Sequence, residues 1–178
     1  STGLESRLLA IQEHGVPNYF GHQRFGDTRH DPRGGNLVLA AKMLEGETIR
    51  NRNKRSMAIS ALRSWLFNEC IHKRIANHSL LDVLPGEIMQ LAGNHSFFCA
   101  DKIDSSIDSR ILSQDIFTTA PLWGEGELAS QLSVREIEQS VVEQHPLVTE
   151  TLQSLGLKQE RRAIRLFPKE MNWQLTEN

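Results

Sequence analysis

Apolar residues at 4, 8, 9 and 11 recur at helical spacing until Gly15, with Pro17 just beyond, which predicts a short helix over residues 4–13. Residues 15–26 then alternate turn formers with aromatics, and residues 27–35 are polar, with Pro32, Gly34 and Gly35, as in a flexible loop. Asn36 is placed to cap a helix through Leu37, Leu39, Ala40, Met43 and Leu44, which Gly46 closes. The longest amphipathic pattern covers residues 54–76, where Met57, Ile59, Leu62, Leu66, Phe67, Cys70, Ile71 and Ile75 build a wide apolar face. That helix is expected at the centre of the core. Two short apolar runs, 88–91 and 97–100, flank a Gly-Asn turn and predict a hairpin. A polar amphipathic helix over 102–112 leads to a strand over 116–119, after which Pro121, Gly124 and Gly126 are expected to break the chain. Helices are expected at 128–131, 134–143 and 147–155, the last ending at Gly156, and extended segments at 162–166 and 171–175 on either side of Pro168. The class is α+β: one long helix and short antiparallel strands.

Composition narrows the picture modestly. With 39% hydrophobic and 24% charged residues the chain is ordinary globular material, long enough for a sizeable core. No apolar run approaches the roughly 18 residues of a membrane span, and the first residues lack a signal peptide, so no membrane partner and a cytoplasmic location are expected. The chain starts at Ser1 and is read as a fragment. Cys70 and Cys99 sit in apolar settings without CxxC spacing and read as reduced core thiols. His95 and Cys99, four apart, are too weak a pair for a metal site, and no metal is expected. The net charge of -2 is a poor sign for nucleic-acid binding, but it is unevenly spread. Residues 1–90 hold 12 basic against 9 acidic residues, a balance of +3, and residues 91–178 hold 8 against 13, a balance of -5. A polyanion is expected to meet the first half.

Two segments carry candidate chemistry. In residues 15–26, Tyr19, Phe20 and Phe25 offer flat surfaces for an unstacked base, Asn18 and Gln23 offer amides for a base edge, and Arg24 can neutralise phosphate. On spacing alone, the same run reads more readily as a tight turn with core aromatics and glycines at positive φ. Arg50, Arg52, Lys54 and Arg55 place four positive charges in six residues at the start of the long helix, where unpaired amides already attract anions. A solvated charged face explains such a cluster as well. Asp101, Asp104 and Asp108 read as a solvated helix start, and neither a GxSxG elbow nor a phosphate-cradling GxxxxGK[ST] loop is present.

The run Gly15-Val16-Pro17-Asn18-Tyr19-Phe20-Gly21, followed by Gln23-Arg24-Phe25-Gly26, resembles the signature of the TruD family of tRNA pseudouridine synthases. Gly35-Asn36-Leu37, Arg52-Asn53-Lys54-Arg55-Ser56, Leu66-Phe67-Asn68, Leu91-Ala92-Gly93 and Arg161-Arg162-Ala163 are similar to further family segments in the same order, so the resemblance spans nearly the whole chain. It implies isomerisation of uridine to pseudouridine at position 13 of tRNA, with neither cofactor nor metal and with tRNA as partner. It also implies covalent catalysis by an aspartate on a base extruded from its stack. That nucleophile belongs to a Lys-Asp motif upstream of the Gly15 run, and none of the fourteen residues before Gly15 is aspartate. The resemblance therefore implies a partial catalytic domain over residues 1–48, an insertion domain over 49–166 and a return strand over 167–178, in a fragment that is inactive alone. Asn18 is expected at the substrate uridine with Phe20 as a pocket aromatic, while Arg24 and the Arg50, Arg52, Lys54, Arg55 cluster would face tRNA phosphates. The alternatives are an RNA-binding module without chemistry and a domain whose basic cluster contacts another protein. Residues 1–48 are expected to be less ordered than the helix that follows.

Overall fold

The protein is described here from a computed structural model, which covers residues 3–94, 96–100 and 102–175. Its centre is the helix α4 (Arg52–Ala76), which begins two residues before the pattern predicts because the Asn51 side chain accepts a hydrogen bond from the Lys54 amide. Leu62, Leu66, Phe67 and Ile71 of α4 are buried, and Trp123, Val141, Leu152 and Ile164 complete that core. Three elements open the chain: α1 (Gly3–His14), the short strand β1 (Val16–Pro17) and the single turn α2 (His22–Phe25), a helical turn inside the run read as alternating turn formers and aromatics. The helix α3 (Gly35–Leu44) packs on α4. Asn36 does not cap it. The N-cap is Gly34, and the Asn36 amide instead donates to the Arg24 carbonyl at 3.1 Å, tying α3 to the α2 turn.

Beyond α4 the chain forms β2 (Ile88–Leu91), β3 (Phe97–Cys99), α5 (Ser105–Leu112) and β4 (Ile116–Leu122). These are followed by α6 (Leu132–Gln144), α7 (Pro146–Ser154), β5 (Glu160–Ala163) and β6 (Arg165–Leu166). One sheet is antiparallel with order β3-β2-β4-β5, and a second consists of β1 and β6. A smaller apolar cluster, Met89, Ala100, Ile107 and Ile116, seats α5 beneath the hairpin.

Pro121, expected to break the chain, lies inside β4 opposite Arg161. Pairing of β4 with β2 has ended by Thr118, so on that side Pro121 is at an edge and its missing N–H disrupts no ladder. The helix expected over 128–131 does not form. Leu128 is drawn into the main core, the Gln131 amide bonds to the Gly86 carbonyl, and Ser130 donates to Glu138, so this segment satisfies its polar groups elsewhere. Residues 171–175 pair with no strand among the described residues; the partner of β1 is β6.

Residues 1–48 are not uniform. No described residue of α1 is buried, whereas α3 buries Ala40 against α4. Amides of α1 should therefore exchange close to the rate of an unprotected helix, and those of residues 58–71 orders of magnitude more slowly. Equal protection in a hydrogen-exchange time course would contradict this packing.

Candidate nucleic-acid interface

The site is built where the Gly15 run crosses the β5–β6 segment. Gly15 adopts φ +73°, and a side chain there would press on the Leu166 carbonyl, so only glycine lets β1 approach β6 this closely. Val16 and Pro17 pair with Leu166 and Arg165, and the Asn18 amide continues the ladder to the Ile164 carbonyl at 2.9 Å. The Asn18 side chain is committed at both ends: Nδ2 donates to the Ala163 carbonyl at 2.8 Å and Oδ1 accepts from Arg162 Nη2 at 2.9 Å. Residues 144 apart in sequence are thus locked together.

Phe20 is fixed from the other side. Asn68, on α4, accepts from the Phe20 amide at 2.9 Å and donates to its carbonyl at 3.0 Å, reproducing with one side chain the two bonds a neighbouring strand would make. The Phe20 ring meets Phe67 edge-on at 5.5 Å. The Arg162 guanidinium lies 4.1 Å from its centroid and that of Arg24 5.0 Å. Arg24 also reaches α4, donating to Ser60 Oγ at 2.6 Å. Replacing Asn68 by Ala removes both bonds and should cost about 1–3 kcal/mol in urea unfolding; an unchanged midpoint would show that the Phe20 backbone is held by other means.

These residues open on a cleft of about 700 Å³ lined by Tyr19, Phe20, His22, Gln23, Arg24, Asn36, Arg162 and, from α4, Ser56, Met57 and Ser60. A second cleft of about 540 Å³ shares Arg162 with it, a third of about 410 Å³ shares Ala163 with the second, and Asn18 lines both of these. Phe20 and Arg24 therefore share one cavity, whereas Asn18 lies on the neighbouring side with Arg162 between them. Burial, and then Arg24, push the Arg162 guanidinium below the usual arginine range. Tyr19 is half exposed, its hydroxyl raised by partial burial and by Glu69. Phe25 does not line the cleft.

The cluster at the start of α4 is divided by helical geometry. Arg50, Arg52, Lys54 and Arg55 are all exposed. Arg52 lies one turn before Ser56 and two before Ser60 on the cleft side, whereas Lys54, two residues on, falls roughly 200° around the helix. The two arginines of the loop before α3 are paired within that loop: Arg29 with Asp27 at 2.5 Å and Arg33 with Asp31 at 2.7 Å. Hydrogen bonding from Arg33 lowers the Asp31 carboxyl to about 2.

Arg162 is the residue that sequence reasoning missed. A strand sends consecutive side chains to opposite faces, so of the adjacent pair on β5, Arg161 enters the core to meet Glu138 while Arg162 turns to the cleft. The signal was a cationic strand in an acidic half of the chain. Asp104 accepts from the Ser106 and Ile107 amides as the N-cap of α5, the helix-start role expected of it, while His95 and Asp101 lie outside the described residues. Cys70 is a buried thiol in the main core, and burial pushes it up.

Comparison with known proteins narrows what this helix-and-antiparallel-sheet fold, with Arg24 and Arg162 on one cleft, belongs to. The family described as tRNA pseudouridine synthase D (TruD) matches residues 48–178. The tRNA pseudouridine synthase D of Pseudoalteromonas atlantica is 54% identical over the whole chain, which covers 51% of that protein, and that of Aeromonas hydrophila is 46% identical over 97% of the chain and 48% of its own length. A crystal structure of the Methanosarcina mazei protein of that name superposes with a TM-score of 0.62 at 19% identity, over 92% of this chain and 55% of that one, which shows a shared fold. The chain belongs to the TruD family, and it spans about half the length of the curated relatives it matches. No described helix is long and apolar enough to cross a membrane.

Proposed function

We propose that this chain supplies one wall of the substrate cleft of a cytoplasmic tRNA pseudouridine synthase that converts uridine 13, and that the attacking aspartate comes from sequence outside these 178 residues. The supporting observation is the joint geometry of Asn18, Phe20 and Arg24, the family-signature residues, which meet β5 and α4 around continuous clefts. Residues 1–48 and 167–178 belong in this reading to the catalytic domain and residues 49–166 to the insertion domain; the β1–β6 pairing at 16–17 and 165–166 fits a hinge there.

The reaction breaks the N1–C1′ glycosidic bond, rotates the detached base and joins C5 to C1′. The C5 hydrogen leaves to solvent as a proton and N1 gains one, so atoms and charge balance without a redox cofactor or metal. This wall's contribution is to hold the extruded uridine in place and to neutralise phosphates, with Asn18 beside the base, Phe20 in the pocket, Arg24, Arg50, Arg52 and Arg55 toward the flanking backbone, and Lys54, on the far side of α4, toward phosphates beyond the cleft. Release of tritium from tRNA labelled at uridine C5 tests it. The full-length protein should release one tritium per tRNA and the isolated chain none. Tight tRNA binding by the full-length protein without release would favour an RNA-binding module.

A further inference from the structure

Arg162 and Arg24 converge on one aromatic ring from segments 138 residues apart in sequence, at 4.1 and 5.0 Å from the Phe20 centroid. Two like charges brought together repel, and after burial it is Arg24 that lowers the tendency of Arg162 to hold its proton. Such an arrangement is ordinarily balanced by a carboxylate. Among the described residues, no salt bridge includes Arg24 or Arg162, and the cleft they line contains neither aspartate nor glutamate. The contrast with Arg161, one residue away and closed by Glu138 at 2.7 Å, is sharp. The repulsion is offset only by the π faces of Phe20 and Phe67 and by neutral acceptors, Asn18 Oδ1 for Arg162 and Ser60 Oγ for Arg24. The Nε of Arg162 is buried with no protein hydrogen-bond partner among the described residues. The cleft also carries the hydroxyls of Ser56 and Ser60.

We propose that Arg24 and Arg162 form a clamp for a single phosphate group, with Phe20 as the platform that orients the two guanidiniums and Ser56 as a neutral donor. A phosphate supplies the missing negative charge, and its tetrahedral oxygens accept from two planar forks at once, which a lone lysine could not match. The chemistry of this ligand stands on the geometry; its source, a phosphodiester of an RNA chain, rests on the function proposed above. Arg162 thus becomes an RNA-binding residue supplied by the acidic half of the sequence, held in place by its bond to Asn18.

The test has two arms. In the first, inorganic phosphate is titrated into the ¹⁵N-labelled chain while arginine Nε–H resonances are followed. Arg24 and Arg162 should shift together along one saturation curve, with exposed Arg135 as the reference; shifts no larger than those of Arg135 overturn the clamp. In the second, tRNA binding is measured against salt for the wild type and for Arg24→Gln, Arg162→Gln, Arg162→Lys and the double glutamine variant. If one phosphate is shared, the double variant should flatten the slope of log K against log salt by about 1 rather than 2, and Arg162→Lys should keep the slope while losing affinity. Arg24→Gln alters an exposed side chain, so its result does not depend on Arg162 variants folding. Phosphate shifts with an unchanged tRNA slope would overturn the RNA source but not the clamp. A wild type that binds tRNA without salt dependence would sink the functional reading, and the phosphate arm would still decide the clamp.

Discussion

Arg161→Met should destabilise this chain by about 3–5 kcal/mol, one of the largest losses available from a single substitution, because it strands a buried carboxylate. Arg161 and Glu138 are 4% and 3% exposed at the side chain. The guanidinium meets both carboxylate oxygens, Nη2 to Oε1 at 2.7 Å and Nη1 to Oε2 at 3.0 Å, and also donates to the Thr119 hydroxyl and carbonyl. Ser130 donates to the same carboxylate at 2.5 Å. The network joins β5, β4, α6 and the irregular segment before α6, so its loss should loosen the strand that presents Arg162 to the cleft. For a chain of this size each kcal/mol is worth about 2–4 °C, so the melting temperature should fall by roughly 6–20 °C. Arg161→Met combined with Glu138→Leu should recover most of that, because no buried charge remains unpaired. A single-variant loss below about 1 kcal/mol would mean that water reaches Glu138.

If the proposed function holds, Asn18→Ala in the full-length protein should lower kcat/KM by about 100-fold, on the order expected when a positioned substrate contact shifts by about 1 Å. The substitution removes the bond to the Ala163 carbonyl and frees Arg162, so both the signature segment and the proposed phosphate clamp lose their common anchor. Stability should fall by only about 1–2 kcal/mol, since two partly buried bonds are lost. Activity should therefore drop far more than the folded population does. A change under threefold in a folded variant would remove Asn18 from the substrate wall.

The elements with strong periodicity were legible from the sequence. Helix α4 shows its apolar face over six turns, and the Gly-Asn turn with its flanking apolar runs marks the β2–β3 hairpin. What was not legible depended on partners distant in sequence. Leu128 and Ser130 look helical locally but are claimed by the core and by Glu138, and Pro121 is tolerated only because β2 stops pairing before it. Asn36 has a capping side chain, yet Arg24 lies within its reach and Gly34 already starts the helix. At the site, Phe20 and Arg24 of the signature run share one cleft, but the two guanidiniums that lie against the Phe20 ring come together only through the fold. Charge counted by halves of the sequence pointed a polyanion to residues 1–90, whereas the fold carries Arg162 across to join them. The departure has one cause: strand alternation separates Arg161 from Arg162, and only the tertiary partner of each decides which one faces solvent.

Hydrogen exchange of the chain with and without a tRNA transcript tests the central claim most directly. Binding should slow exchange in residues 18–24, at the first two turns of α4 and along β5, the three segments that enclose the Phe20 cleft. Slowing confined to the β2–β3 hairpin and α5, with those three segments unchanged while tRNA is bound, would contradict the account.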